Sequence, residues 1–309
     1  MRCENRRMWW NFGVMGIFLM GVLLGSLAVS AFAEAPKDYK GTISIGGQPW
    51  NESNILANMA KLLVEAHTGL KVNFNPDFAG VAVLHEAMRS NQIDIYPCWT
   101  GSHLIGLLRY EGPTLGRDEA YALVKSEFEK RYDMSWAKPL GFNNTYAMAV
   151  RREIAEKNDL KKASDLAAFA KQWRLGGDSN FDTRHDAYPG WSKHYGISFK
   201  EVLPMEYALM YKAIEAGEVD VIAAYSTDSR IKKLNLVILE DDKGFFPDYS
   251  ACFVINRKTF AKYPQLLDII EKVSGRIDEA TMTELNYQFD EGMEAEKVAR
   301  DFLEKEGLL

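Results

Sequence analysis

Cysteine is scarce in this chain, with three in 309 residues, and so are histidine, with five, and proline, with ten. Three cysteines are too few for a disulfide-built scaffold or a cysteine-rich zinc site. Cys3 lies ahead of a long apolar run, which leaves Cys98 and Cys252 either as one bridge or as two buried thiols. The histidines are His67, His85, His103, His185 and His194, and none belongs to an H-E-x-x-H pair. A cation site on His185, Asp186 and His194 competes with the plainer reading of scattered polar loop residues. G-x-S-x-G and a phosphate-binding Walker loop are both missing, and Gly46-Gly47 lacks the spacing of a dinucleotide fingerprint. No nucleophile stands beside a base at a recognisable interval. These absences count against an enzyme and against any cofactor or resident metal. Basic charge is also short, at 37 Lys and Arg against 43 Asp and Glu. That balance excludes nucleic acid as the main partner, because binding phosphates needs a basic surface. No Gly/Ser-rich or Pro-rich linker interrupts the chain, so collagen-like and low-complexity classes are out.

One long hydrophobic run is present, at the start. Arg2, Arg6 and Arg7 precede an uncharged stretch from Phe12 to Phe32, and Ala31-Phe32-Ala33 makes a small-x-small pattern before Glu34. This is the layout of a secretory signal peptide over residues 1–33, which predicts a periplasmic protein; left uncleaved, the same stretch is long enough to anchor the chain in a membrane. The absence of a cysteine at the cleavage point argues against lipid attachment.

Beyond it the chain alternates strand and helix. Thr42–Ile45 reads as a strand ending at Gly46-Gly47. Asn51 is an expected N-cap, followed by Ile55, Met59, Leu62, Leu63 and Ala66 on one helical face, with Gly69 as the expected stop. Strands over 71–75 and 93–96 flank a helix over about 81–90, the β-α-β-α-β order of a largely parallel sheet. A second copy of this unit is suggested by Ala87–Ile95 beside Ala213–Val221, offset by 126 positions. Each joins a helix end to a left-handed residue, Asn91 or Gly217, and then to an apolar-Asp-apolar strand. The same offset sets Trp99 on Tyr225 and Ser102 on Asp228, just beyond strand ends, where open α/β sheets bind ligands. The C-terminal part, from Thr259, reads as helices over about 264–273, 277–289 and 294–303.

Aromatic residues make up 12% of the chain. Most belong in the core, but Trp99, Tyr146, Tyr225 and Tyr249 sit in polar, turn-rich stretches. Rings converging from four loops would form a cage for quaternary ammonium, held by cation–π attraction. Arg184, in the polar loop over 178–188, is a candidate for a ligand carboxylate, and competes there with a surface pairing to Asp182 or Asp186. Gln48 and Ser102 add neutral hydrogen-bonding groups.

The stretches Gly47–Glu52, Trp99–Gly101, Tyr146–Val150, Ala224–Arg230, Leu239–Gly244 and Leu285–Tyr287 together resemble the periplasmic substrate-binding proteins of osmoprotectant ABC importers, the glycine betaine/choline type. The resemblance runs from about Gly41 to Leu309. It implies an α/β fold of two lobes, the type II periplasmic binding protein fold, with each lobe a mostly parallel sheet flanked by helices. The expected division is 40–142 with 247–309 in lobe 1 and 143–246 in lobe 2, with hinge crossings near Gly141–Asn144 and Gly244–Pro247. It further implies a binding protein without enzymatic activity or cofactor, a monomer that delivers a quaternary ammonium compound to an ABC permease and its ATPase. A ligand-sensing domain using the same cleft is the alternative. Carried over position by position, the cage falls on Trp99, Tyr146, Tyr225 and Tyr249, the carboxylate anchor on Arg184, and polar contacts on Ser102 and Asn144. Two departures stand out: Gln48 where the family often has Lys, and Trp99 where Tyr is usual. Glycine betaine, choline, carnitine, proline betaine and histidine-derived betaines all remain open, and Arg184 favours a zwitterion.

Overall fold

The structure is a computed structural model that describes residues 39–178, 181–182 and 187–309. The signal-peptide stretch lies outside the described residues, as do Arg184, His185 and Asp186. Among the described residues, ten strands form two five-stranded sheets. The first contains β1 (Gly41–Gly46), β2 (Leu70–Asn75), β3 (Ile95–Trp99), β4 (Met134–Trp136) and β10 (Ala251–Asn256), in the order β2-β1-β3-β10-β4. The second contains β5 (Tyr146–Arg151), β6 (Arg174–Gly177), β7 (Glu201–Pro204), β8 (Val221–Tyr225) and β9 (Leu236–Ile238), in the order β7-β6-β8-β5-β9.

The two orders are the same. In each sheet four strands run one way, and the fifth, β10 or β5, is antiparallel to both of its neighbours. That reversed strand is in each case the first one laid down after the chain arrives from the other sheet. Helices cover the sheet faces: α1 (Asn51–His67), α2 (Val81–Arg89), α3 (Thr100–Gly106), α4 (Arg117–Tyr132), α5 (Arg152–Lys157), α6 (Tyr188–Tyr195), α7 (Tyr207–Glu215), α8 (Ser229–Lys233), α9 (Arg257–Lys262), α10 (Leu266–Ile270), α11 (Glu279–Asp290) and α12 (Ala295–Lys305).

The internal repeat is structural. α2 and α7 begin and end 126 positions apart, and so do β3 and β8. Asn91 and Gly217 both take positive φ, at 58° and 73°, which turns the chain sharply out of each helix. Asp94 then accepts the Ser44 amide at 2.7 Å, and Asp220 accepts the Arg174 amide at 2.8 Å. One short carboxylate thus fixes the start of the central strand to its neighbour in both halves. α1 departs from its expected ends. Its cap is Trp50 in extended conformation, not Asn51, and it stops at Thr68, not at a left-handed Gly69. The Thr68 hydroxyl satisfies the end itself, donating to the Val64 carbonyl at 2.6 Å and accepting from the Leu70 amide at 3.0 Å.

Two strips of chain join the halves. Phe142 packs in the core around the first sheet and Tyr146 in the core around the second. On the return, Phe246 still packs with the second core and Tyr249 with the first. The strips lie side by side. Asn143 and Ser250 form an antiparallel bridge, and the Asn144 amide donates to the Tyr249 carbonyl at 3.2 Å. Cys98 and Cys252 face each other across β3 and β10 as buried free thiols.

Candidate functional site

Strand ends bring the rings together. Trp99 is the last residue of β3 and Tyr225 the last of β8, the same place in the two repeats. Tyr146 opens β5 and pairs directly with Tyr225 across the antiparallel ladder. Their rings stack at 4.9 Å, and the Tyr225 hydroxyl donates to Asp178 Oδ2 at 2.8 Å and lies 3.2 Å from the Tyr146 hydroxyl. Burial pushes the Tyr225 phenol well above its ordinary range, with further push from Tyr146 and Asp178, so it remains a neutral donor. Tyr249 comes in on the return crossing.

These rings line one cavity of about 550 Å3, within the usual size range of small-molecule sites. Seven of the eight residues singled out in the sequence, Gln48, Trp99, Ser102, Asn144, Tyr146, Tyr225 and Tyr249, are in its wall. The eighth, Arg184, lies outside the described residues. His194 is away from the cavity, exposed and 3.1 Å from the Lys243 carbonyl, and no cluster of metal ligands occurs among the described residues.

Gly101 makes room for Tyr249. A Cβ there would sit 2.7 Å from two ring carbons of Tyr249 and 2.8 Å from the Asp248 carbonyl. The ring and the crossing would both have to shift. Gly101→Ala is expected to weaken ligand binding about tenfold, the order of a displaced cage ring. Gly106→Ala, in the same helix but facing open space, should leave binding unchanged. Fluorescence titration of the two variants checks this.

The sequence did not single out the polar floor of the cavity. Glu52, in the first turn of α1, is fully buried. Its Oε1 accepts from Trp99 Nε1 at 3.0 Å and Asn144 Nδ2 at 2.9 Å. Its Oε2 accepts from Thr227 Oγ1 at 2.7 Å and Asn286 Nδ2 at 3.2 Å. Burial raises its carboxyl above the ordinary carboxylate range, while the four donors pull it back. Trp50 packs on Trp99 with centroids 4.7 Å apart. The larger ring at position 99 is therefore held on its edge by Glu52 and on its face by Trp50.

His103 also faces the cavity and is fully buried. Burial lowers its pKa to about 3, so the ring is neutral. Its Nδ1 lies 3.1 Å from the Trp99 carbonyl, which can only accept, so Nδ1 carries the proton and Nε2 takes the Tyr96 hydroxyl at 3.0 Å. Asp228 caps α8 and is ion-paired to Arg230 at 2.7 Å. It also accepts from the Tyr207 hydroxyl. The Arg230 guanidinium lies over Tyr207 and Tyr211, 4.5 and 4.3 Å from their centroids. No Lys or Arg is among the described residues of the cavity wall, whereas Glu52, Asp178 and Asp228 are. Asp228 is compensated by Arg230, and the aromatic faces with the other two carboxylates favour a cation.

The chain belongs to the substrate-binding domain family of ABC-type glycine betaine transport systems. The family model matches residues 41–305, which take in both sheets and all twelve helices described above. Among relatives, the chain is 37% identical over 287 residues to the carnitine transport binding protein OpuCC of Listeria monocytogenes, covering 92% of each chain. It is 33% identical over 307 residues to the ergothioneine transport permease/ergothioneine binding protein EgtU of Helicobacter pylori, of which it spans 54%. A solved structure described as a glycine betaine/carnitine/choline ABC transporter superposes with a TM-score of 0.78 at 35% identity, covering 86% of this chain and 99% of that one. The fold is that of type II periplasmic binding proteins, and members of the family are extracytoplasmic transport binding proteins. No helix among the described residues is long and apolar enough to cross a membrane.

Proposed function

We propose that this protein captures a quaternary ammonium compound between its two halves and delivers it to an ABC permease driven by an ATPase. One observation carries the reading. Trp99 and Tyr249 from the first half and Tyr146 and Tyr225 from the second line a single cavity whose charged side chains, among the described residues, are carboxylates. Each desolvated ring contributes roughly 0.5–2 kcal/mol to a bound cation. Micromolar affinity needs about 8 kcal/mol, so ring burial and a second anchor must supply the rest. Arg184 is our candidate for that anchor, taking a carboxylate on a zwitterionic ligand, with Gln48, Ser102 and Asn144 as neutral contacts. The ligand is glycine betaine, choline, carnitine or a related betaine, including the histidine-derived kind that the ergothioneine-binding relative brings into view.

In this reading residues 40–142 with 247–309 form one lobe and 143–246 the other, and the paired crossings are the hinge. A ligand touching both lobes favours the closed form by its differential contacts. The protein acts in the periplasm as a monomer after removal of residues 1–33.

The test is a titration of the purified protein with glycine betaine, choline, carnitine and ergothioneine, following tryptophan fluorescence, with glycine as control. A saturable change is expected with at least one methylated ammonium compound and none with glycine. Silence across the whole set overturns the reading.

A further inference from the structure

Resting on that reading, we propose that Glu52 is the specificity-determining charge of the site, the anion that makes the cavity prefer a cation to a neutral molecule of the same shape. Aromatic rings alone do not enforce this choice strongly, since their faces also bind neutral methyl groups through dispersion and burial. A fixed negative charge in a desolvated wall does enforce it.

The cavity wall has three described carboxylates, and they differ in what surrounds them. Asp228 is neutralised by Arg230 at 2.7 Å. Asp178 accepts the Tyr225 hydroxyl and the Phe181 amide, at 2.8 Å each, six positions before Arg184 in the chain. Glu52 is fully buried, and all four groups on its oxygens are neutral donors. The Trp99 indole and the two Asn amide nitrogens can only donate, so the pocket is shaped around an acceptor. A buried charge held only by dipoles is costly, and a cation arriving in the same cavity offsets that cost. The same carboxylate orients Trp99 of the cage and ties it to Thr227 of the other half. Its loss therefore acts on ring geometry as well as charge, and the test must separate these.

The separation uses choline and 3,3-dimethylbutan-1-ol, which has the same shape with carbon in place of the charged nitrogen. The quantity read is the ratio of their affinities in the unsubstituted protein, in Glu52→Gln and in Glu52→Asp, each checked for folding by thermal melt. A unit charge close to a bound cation in a partly buried site is worth at least about tenfold in affinity. The ratio is expected to favour choline in the unsubstituted protein, to fall at least about tenfold in Glu52→Gln, and to stay within about threefold of the starting value in Glu52→Asp. If the amide does not fold, Glu52→Met removes the charge with an unbranched apolar chain and is read the same way. An unchanged ratio in the neutral variant overturns the proposal and leaves selection to the rings. An equal fall in Glu52→Asp also overturns it, because geometry and not charge would then decide. If the unsubstituted protein binds choline and the alcohol equally, the proposal fails without any variant. Failure of choline, glycine betaine, carnitine and ergothioneine alike to bind would overturn the proposed function, and this inference with it.

Discussion

Tyr225→Ala and Trp99→Ala are each expected to weaken quaternary ammonium binding by one to two decades. The number follows from what each ring loses. Removing a desolvated ring takes away roughly 0.5–2 kcal/mol of cation–π attraction, and the lost burial of the side chain adds to it, while each tenfold in affinity is about 1.4 kcal/mol. Tyr225 should stand at the upper end because its neighbours depend on it. Tyr146 stacks on it at 4.9 Å and Tyr207 leans against it at 5.2 Å, so truncation frees both rings. Tyr225→Phe isolates the hydroxyl. It keeps the ring but removes the 2.8 Å bond to Asp178, and should cost only severalfold. Calorimetric titration of the three variants with whichever ligand saturates the unsubstituted protein gives the numbers. Unchanged affinity in both alanine variants would remove the cage from the account of this protein. Tyr207 is not expected to match them, because the Arg230 guanidinium already lies over its ring.

The repeat explains why the convergence of these rings on one cavity was legible in the sequence. An apolar-Asp-apolar strand start and an aromatic at its end, recurring at offset 126, imply two equivalent strand ends, and the structure places Trp99 and Tyr225 there. Tyr146 and Tyr249 could be read because the sequence around each is polar and turn-like, although in the structure both rings also pack against the two cores. The floor was hidden for the opposite reason. Glu52 sits in the first helical turn, where an acidic residue has an ordinary role beside the helix dipole. Only the fold reveals that this turn is buried and that Asn144, Thr227 and Asn286, 92, 175 and 234 positions away, converge on it. Tyr207 was concealed similarly. It shares a helical stripe with Met210, Tyr211 and Ile214, and at the first turn that stripe passes from core to cavity. The stop of α1 was misread because Gly69 is a common helix terminator, yet the threonine before it supplies the missing hydrogen bonds with its side chain.

Acid is expected to destabilise the fold before carboxylates in the ordinary range begin to titrate, and His103 is the main reason. Burial lowers the His103 pKa from 6.5 to about 3, so the unfolded chain binds a proton that the folded protein refuses. The contribution is therefore intact above pH 6.5 and is lost progressively as pH falls from 6.5 towards 3. At about 1.4 kcal/mol per pH unit, the loss between pH 7.5 and 5 is about 2 kcal/mol. For a chain of this size that corresponds to a fall in Tm of about 4–8 °C. His85, whose pKa burial also lowers, acts in the same direction. Carboxylates held below their ordinary range, such as Glu296 beside Lys61 and Arg300, add their loss only at lower pH. Glu52 opposes them, because its raised carboxyl gains stability as pH falls through its folded value. Thermal melts between pH 7.5 and 5 measure the slope. His103→Gln should lower Tm at pH 7.5, since the bonds to Tyr96 and the Trp99 carbonyl are disturbed, but should flatten the slope over this window. A slope as steep in the variant as in the unsubstituted protein would assign the acid sensitivity elsewhere. The consequence for binding is direct. A protonated His103 would place a cation in the wall of a site that we read as built for one, so the pKa of about 3 keeps the cavity free of a competing charge at neutral and mildly acid pH.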